Sequence, residues 1–307
     1  MTMAQTSQQM ANQELWPELP FTTWKPTGET LHMWTQIIGK IKLALNPYVN
    51  HWWQVPLYVT ASGLTTSAIP YAGGTFEIQF NFLHHNLLIH TSRGASKTLR
   101  LYSRSVANFY QEVMTSLQAL GIDVHIYTLP QEVPHPIRFE KDEVHATYDP
   151  LLVNRYWQIL VQTDKVMQRY RSHFIGKSSP IHLFWGSLDL AVTFFSGRAA
   201  PERPEVDPVT REAYSHEVIS AGFWPGGDNF PEPAFYSYAA PIPQGLENAT
   251  LQPALGAYNQ KMGEFILPYN TMRNTPAPAQ TLLDFYQHAY EAAANLAHWD
   301  RTALEKR

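Results

Sequence analysis

Between residues 75 and 82 apolar and polar positions alternate without a break. Phe76, Ile78, Phe80 and Phe82 fall on one side, and Thr75, Glu77, Gln79 and Asn81 on the other. This predicts a strand with one wet face. Upstream, Leu31, Trp34, Ile37, Ile38, Ile41 and Leu45 recur at helical spacing from Thr30 onward, and Asn46-Pro47 ends that helix. HWWQVPLYVTA and GLTTSAI are rich in β-branched and aromatic residues and predict strands, as do NLLIHT and TLRLYS. Ser105 is placed to cap a helix whose apolar stripe is Val106, Phe109, Tyr110, Val113, Leu117 and Leu120, with Gly121 as its stop. DVHIYTL predicts one more strand.

A proline-rich connector covers 130–150, and the pattern then starts again. A helix is predicted in NRYWQILVQTDKVMQRYRSHF, strands in PIHLFWGSLDLAVTFF, YSHEVISAGFW, PAFYSYAA and GEFILPY, and a closing helix in TLLDFYQHAYEAAANLAHW. Thr281 and Asp284 have the spacing of a capping box at its start. Trp34-Thr35-Gln36-Ile37 echoes Trp157-Gln158-Ile159-Leu160, and Phe109-Tyr110-Gln111 echoes Phe285-Tyr286-Gln287. These echoes fit an internal duplication as well as they fit chance. The expected fold is α+β, with two similar halves, each a mainly antiparallel sheet packed by helices. Residues 1–20 are expected to be a flexible N-terminal lead, 21–149 the first half, and 150–307 a second half carrying the candidate site. A cleft is expected between the halves.

Composition narrows the function classes. The chain has 307 residues, a net charge of −4 and no long basic run, which argues against nucleic-acid binding. No stretch approaches the roughly 18 apolar residues of a membrane span. The first residues show neither the basic start nor the apolar run of a secretory signal. With no cysteine there can be no disulfide, thiolate nucleophile, cysteine-bound zinc or iron–sulfur centre. A cytoplasmic protein is the simplest expectation. Charged residues are only 16% and aromatics reach 13%, which suits either a large aromatic core or a lined cavity. The 13 histidines direct attention to acid/base chemistry.

Three segments carry candidate chemistry. Read as a single strand, PIHLFWGSLDLAVTFFSGR has no Lys or Glu on either face, so both faces are expected to be covered. Asp189 then needs partners, in a structural network or in a functional pocket, and His182 reads as a core histidine. In YSHEVISAGFW, Tyr214, His216 and Ser220 share one strand face and Glu217 the other. His216 is the candidate acid/base residue or, equally, a tie between strands, with Glu217 and Asp189 as further catalytic candidates. Arg198, directly after Gly197, could clamp a carboxylate or phosphate. Lys177, Trp185, Tyr214, Trp224 and Tyr236 complete the expected substrate-binding set. GxxxxGK[ST] would need glycine where Arg171 stands and no GxGxxG follows a strand, so a P-loop and a nucleotide fold have no support; GxSxG is absent, which weakens a hydrolase elbow, and no particular cofactor is indicated.

The motifs GKSSPIHLFWGSLDLA, FSGR, AYSHEVISAGFWPGG, FYSYA and EFILPY, with the earlier NHWW and GLTT, resemble a bacterial family catalogued as a domain of unknown function. The resemblance runs from about Trp34 to Trp299-Asp300-Arg301 and implies no activity. It also implies arginine in many members where this chain has Phe194, so a second guanidinium beside Arg198 is missing here.

Three functional readings follow. The first is an enzyme using acid/base chemistry on a small, partly aromatic or apolar molecule, with or without an anionic group, in a cleft between the halves. The second is a non-catalytic small-molecule binding or carrier protein. The third is a metal-dependent enzyme drawing ligands from His51, His182, His216 and Glu217, although no metal-site spacing is present.

Overall fold

In the computed structural model, residues 14–251 and 256–306 are described. The first half begins with α1 (Phe21–Leu45), which starts nine residues before the predicted Thr30. Pro26 and Gly28 obscure this turn in the sequence. Packing overrides them, because Trp24 is buried and stacks on Tyr156 with ring centroids 4.9 Å apart. Most of the expected lead, residues 1–13, lies outside the described residues. Its end is packed: Trp16 and Leu19 are buried, and the Arg273 guanidinium donates to the Trp16 carbonyl at 2.8 Å.

Six antiparallel strands follow: β1 (Tyr58–Thr60), β2 (Gly63–Thr65), β3 (Ile69–Tyr71), β4 (Gly74–Asn81), β5 (Asn86–Thr91) and β6 (Ser96–Arg100). Their order is β1-β2-β4-β5-β6, with β3 also paired to β4. α2 (Val106–Ala119) closes the half, and the Ser105 hydroxyl accepts from the Asn108 N–H at 3.2 Å, as its position predicts. The predicted strand over 123–129 is absent. Those residues pair with no strand, and β6 remains an edge of the sheet.

The pattern repeats from α3 (Pro150–Arg171). The second antiparallel sheet contains β7 (His182–Phe184), β8 (Asp189–Ala199), β9 (His216–Trp224), β10 (Ala234–Ala240), β11 (Ala257–Asn259) and β12 (Glu264–Pro268), in the order β11-β12-β10-β9-β8-β7. A short α4 (Pro208–Ala213) lies between β8 and β9, and α5 (Tyr269–Arg273), α6 (Pro278–Leu296) and α7 (Arg301–Leu304) end the chain. α6 begins three residues before Thr281, with Pro278 in its first turn, so the predicted capping box falls inside the helix. Leu57 and Leu183 exchange both backbone hydrogen bonds, at 3.0 and 2.9 Å, and so join the edges of the two sheets. One hydrophobic cluster runs through both halves, from Trp16 to Trp299.

One register difference reorganises the candidate site. PIHLFWGSLDLAVTFFSGR is not one strand but the hairpin β7–β8, turning at Trp185–Leu188 with Leu188 at positive φ. The turn carries a single glycine and no Pro, Asn or Asp, so its sequence signal is weak. His182 therefore pairs with Ala191 and Phe184 with Asp189, which puts His182 and Asp189 on the same sheet face rather than on opposite ones.

Candidate functional site

The second sheet has two different faces. Leu190, Val192, Phe194, Ile219, Ala221, Phe223, Phe235 and Leu267 are buried and alternate onto the face packed by α3 and α6. The opposite face carries Asp189, Thr193 and Phe195 on β8, His216, Ser220 and Gly222 on β9, and Tyr236 and Tyr238 on β10. This polar face is partly roofed by segments distant in sequence: His51–Trp53, the loop at Glu132, and α4.

At its centre is a carboxyl–hydroxyl network. Tyr236 donates its phenol hydrogen to Asp189, and Ser187 donates to the other Asp189 oxygen at 2.8 Å. The Tyr214 and Tyr238 hydroxyls are 2.9 Å apart, and those of Thr193 and Ser220 3.0 Å. Gly222 makes the network possible: a Cβ there would come within 2.2 Å of the Tyr236 ring, so only glycine lets that ring lie flat across β9. Asp189, Tyr236 and Tyr238 are half-buried on this face.

No ion pair is formed by Asp189, Glu132 or Glu264 among the described residues. Their carboxyls are displaced upward. Burial raises Asp189, against the opposing hydrogen bonds from Tyr236 and Ser187. Burial and then the charge of Asp189 push Glu264 up to about 7. Burial raises Glu132, with Asp189 and then Asp207 adding to it, and its carboxylate lies beside Gly186. Glu132 is held there by α1: Gln36 donates to the Gln131 carbonyl at 2.8 Å and accepts from the Gln131 N–H at 2.8 Å, while His32 bonds the Gly186 carbonyl at 2.7 Å. Burial lowers His32 to about 4, so its imidazole is neutral at physiological pH and donates this bond.

The other end of the face holds an imidazole–ammonium group. The Lys177 ammonium donates to His51 Nε2 at 2.6 Å, which leaves His51 Nδ1–H to donate to the Glu212 carbonyl at 3.1 Å. The His51 N–H also donates to the Glu212 carboxylate at 2.9 Å. His51 and Trp52 both have positive φ, a costly backbone that α4 holds in place through Glu212. The His51 ring lies 4.8 Å from Phe195, 5.3 Å from Trp53 and 5.8 Å from His216. Burial is the main cause that lowers the His51 pKa, with Lys177 and His216 adding to it. Lys177 lies over Phe195 at 4.7 Å and is exposed at the rim, and its pKa is also lowered by burial.

Asp189, Tyr214, Tyr236, His216 and Lys177 thus share one sheet face. Arg198 and Glu217 are on the other face and bind each other. Arg198 Nε donates to Glu217 at 2.8 Å, and its other nitrogens donate to the Ala297 and His298 carbonyls at 2.6 and 3.3 Å, at the C-terminus of α6. Trp185 is buried, donates to the Val55 carbonyl at 3.0 Å and lies against Gly39 of α1. Trp224 sits at the end of β9 beside Phe230, with ring centroids 6.5 Å apart. His182 is fully buried under Trp53, Tyr58 and Phe184, with neither ring nitrogen hydrogen-bonded. Among the described residues no three His, Asp or Glu side chains are placed to hold a metal ion. A separate hollow of about 830 Å³ along α2 and residues 121–125 contains none of these residues.

His51, Trp53, Glu132, Tyr238 and Glu264 enter the site without having been singled out together. They come from four separate segments; His51 had been named only as a metal-ligand candidate, and Tyr238 shares the strand parity of Tyr236.

The molecule is therefore an α+β protein of two antiparallel sheets, the second with a polar, tyrosine-lined face. Residues 16–306 match a family of unknown function (DUF5996), and the chain belongs to that family. No curated protein and no solved structure matches it. No helix among the described residues is long and apolar enough to cross a membrane.

Proposed function

We propose that this protein is an enzyme that uses acid/base chemistry on a small, partly aromatic molecule bound on the polar face of the second sheet. The observation that carries this reading is the gathering there of titratable groups displaced in opposite senses. Carboxyls at Asp189, Glu132 and Glu264 hold their protons to higher pH, and an imidazole at His51 gives its proton up at lower pH. Near neutrality such a face offers a protonated acid and a neutral base together, which is the condition for general acid–base catalysis. In this reading Glu264 or Asp189 is the acid, and His51 becomes the base when the Lys177 ammonium leaves its Nε2 for the substrate. Glu212 holds the Nδ1–H tautomer, and His216, Tyr214 and Tyr236 position the substrate beside Trp53. The Arg198 guanidinium, committed to Glu217 and α6, takes no part, so the substrate needs no anionic group.

The reading is tested by incubating the purified protein with a cell metabolite extract and following every species by mass spectrometry. At least one species should be consumed, roughly a hundredfold or more slowly by Asp189→Asn and by His51→Ala. The rate should rise with pH as His51 loses its proton and fall above about 7 as Glu264 loses its own. Equal consumption by all three proteins, or none by any, contradicts the proposal. A species retained by the wild type but never altered would replace catalysis with a carrier role.

A further inference from the structure

The hollow of about 830 Å³ on the first half lies along α2 and the residues that follow it, and is also lined by Glu140 and Glu143. Gly121 to His125 line it as five consecutive residues, so the main chain itself borders the hollow. The side chains here alternate as those of a strand do: Ile122 and Val124 are buried, and Asp123, His125 and Tyr127 are exposed. Both ends of the segment are anchored. The Ile122 N–H donates to the Leu117 carbonyl at 2.9 Å, and the Thr128 carbonyl accepts from the Phe139 N–H at 3.0 Å. Between the anchors, from Asp123 to Tyr127, no backbone N–H or carbonyl bonds another backbone group among the described residues. DVHIYTL thus has the composition and side-chain parity of a strand while its pairing positions are free, and a free edge invites an added strand.

The hollow also has a definite charge. Asp123, Glu140 and Glu143 are exposed around it, and no lysine or arginine lines it. Among the described residues Glu140 and Glu143 form no ion pair, and Asp123 meets only the His125 ring, at 3.8 Å. Tyr110 and Met114 of α2, both half-buried, supply apolar surface. A volume near the upper end for small-ligand pockets suits a chain segment better than one small molecule. Strands added to an edge bind through main-chain hydrogen bonds and take specificity from the side chains around them. We propose that residues 122–127 receive, as an added strand, an extended segment of a partner protein that carries lysine or arginine. An apolar side chain of that segment covers Tyr110 and Met114, and its cations meet Asp123, Glu140 and Glu143. The net charge of −4 on this chain disfavours a second copy as the occupant. The same three carboxylates repel acidic strands, so they also select the partner. This docking is independent of the sheet-face reaction.

The probe is the blocked peptide KVTVKVTVK, a strand former with lysine on one face and valine on the other. It is compared with a copy carrying glutamate for every lysine, and with a copy N-methylated at every interior residue, which keeps the side chains but cannot donate main-chain bonds. Binding is read by fluorescence anisotropy and by amide hydrogen exchange of the full-length protein. Wild type should bind the lysine peptide about tenfold more tightly than either copy, through exposed charge pairs in one case and one or two net hydrogen bonds in the other. The amides of residues 123–127 should gain protection in that complex. The double variant Glu140→Lys/Glu143→Lys changes two exposed side chains, should unfold at the wild-type midpoint, and should reverse the preference between the lysine and glutamate peptides. Failure of the lysine peptide to bind wild type, equal affinity for all three peptides, or protection gained only outside 123–127 would overturn the proposal. So would a wild-type dimer that the double variant abolishes, since that would give the hollow to a second copy.

Discussion

Replacing Glu264 with glutamine is expected to stabilise the protein by about 2 kcal/mol at pH 8 and to leave stability unchanged at pH 4. In the folded protein this carboxyl titrates at about 7, against 4.5 for an ordinary glutamate. Each unit of such a difference is worth about 1.4 kcal/mol, and the partial exposure of the side chain reduces the total. The sign follows from proton linkage. Below pH 4.5 the carboxyl is neutral in both folded and unfolded chains and costs nothing. As pH rises towards 7, the unfolded chain releases the proton while the folded one retains it, so folding stability falls and the full cost stands above pH 7. Glutamine removes the charge while keeping the shape. Denaturant unfolding of both proteins at the two pH values measures the difference, and an unchanged midpoint at pH 8 would mean that Glu264 is not in a desolvated, negatively charged setting. A carboxyl kept at such a cost is the pattern expected where function, not stability, selects the residue.

Trp185→Ala should have a larger effect of opposite sign, destabilising the fold by about 3–5 kcal/mol. The indole is buried, rests on Gly39 of α1 and donates to the Val55 carbonyl at 3.0 Å. Its removal opens a cavity at the junction of the β7–β8 turn, α1 and the segment that leads from His51 to β1. Chemical denaturation gives the magnitude. Hydrogen exchange should show residues 51–57 losing protection ahead of the second sheet, because the Val55 contact is the one removed. A cost below about 1 kcal/mol would mean that this junction repacks freely around the gap.

The architecture was largely legible in the chain because its signals are local. The alternation from Thr75 to Phe82 became β4, the Ser105 cap became the start of α2, and the helix–strands–helix order recurs in both halves. Where local signals conflicted with packing, the reading failed. Pro26 and Gly28 hid the first turns of α1, whose Trp24 is held by Tyr156. The Trp185–Leu188 turn, with no strong turn residue after its glycine, concealed the β7–β8 hairpin and so the face on which His182 stands. DVHIYTL has strand composition but pairs with no strand.

The site was legible only in part, for the same reason. The parity of Tyr214, His216 and Ser220, and its opposition to Glu217, could be read along one strand. That Arg198 would turn away to Glu217 and the end of α6 could not, because the bulge between Phe195 and Ala199 shifts the register there. Nor could the sequence indicate that His51 and Lys177, 126 positions apart, would meet at 2.6 Å.

Convergence of separate carboxyls on one hollow is the claim on which the functional reading depends, and a coupled titration tests it most directly. The side-chain carboxyls of Asp189 and Glu264 can be followed by carbon NMR through pH 3–9 in the wild type and in Asp189→Asn. The account predicts that Glu264 titrates near 7 in the wild type, that Asp189 titrates above its ordinary 3.8, and that Glu264 falls when the Asp189 charge is removed. Two carboxyls titrating at ordinary values, each indifferent to the other, would contradict it.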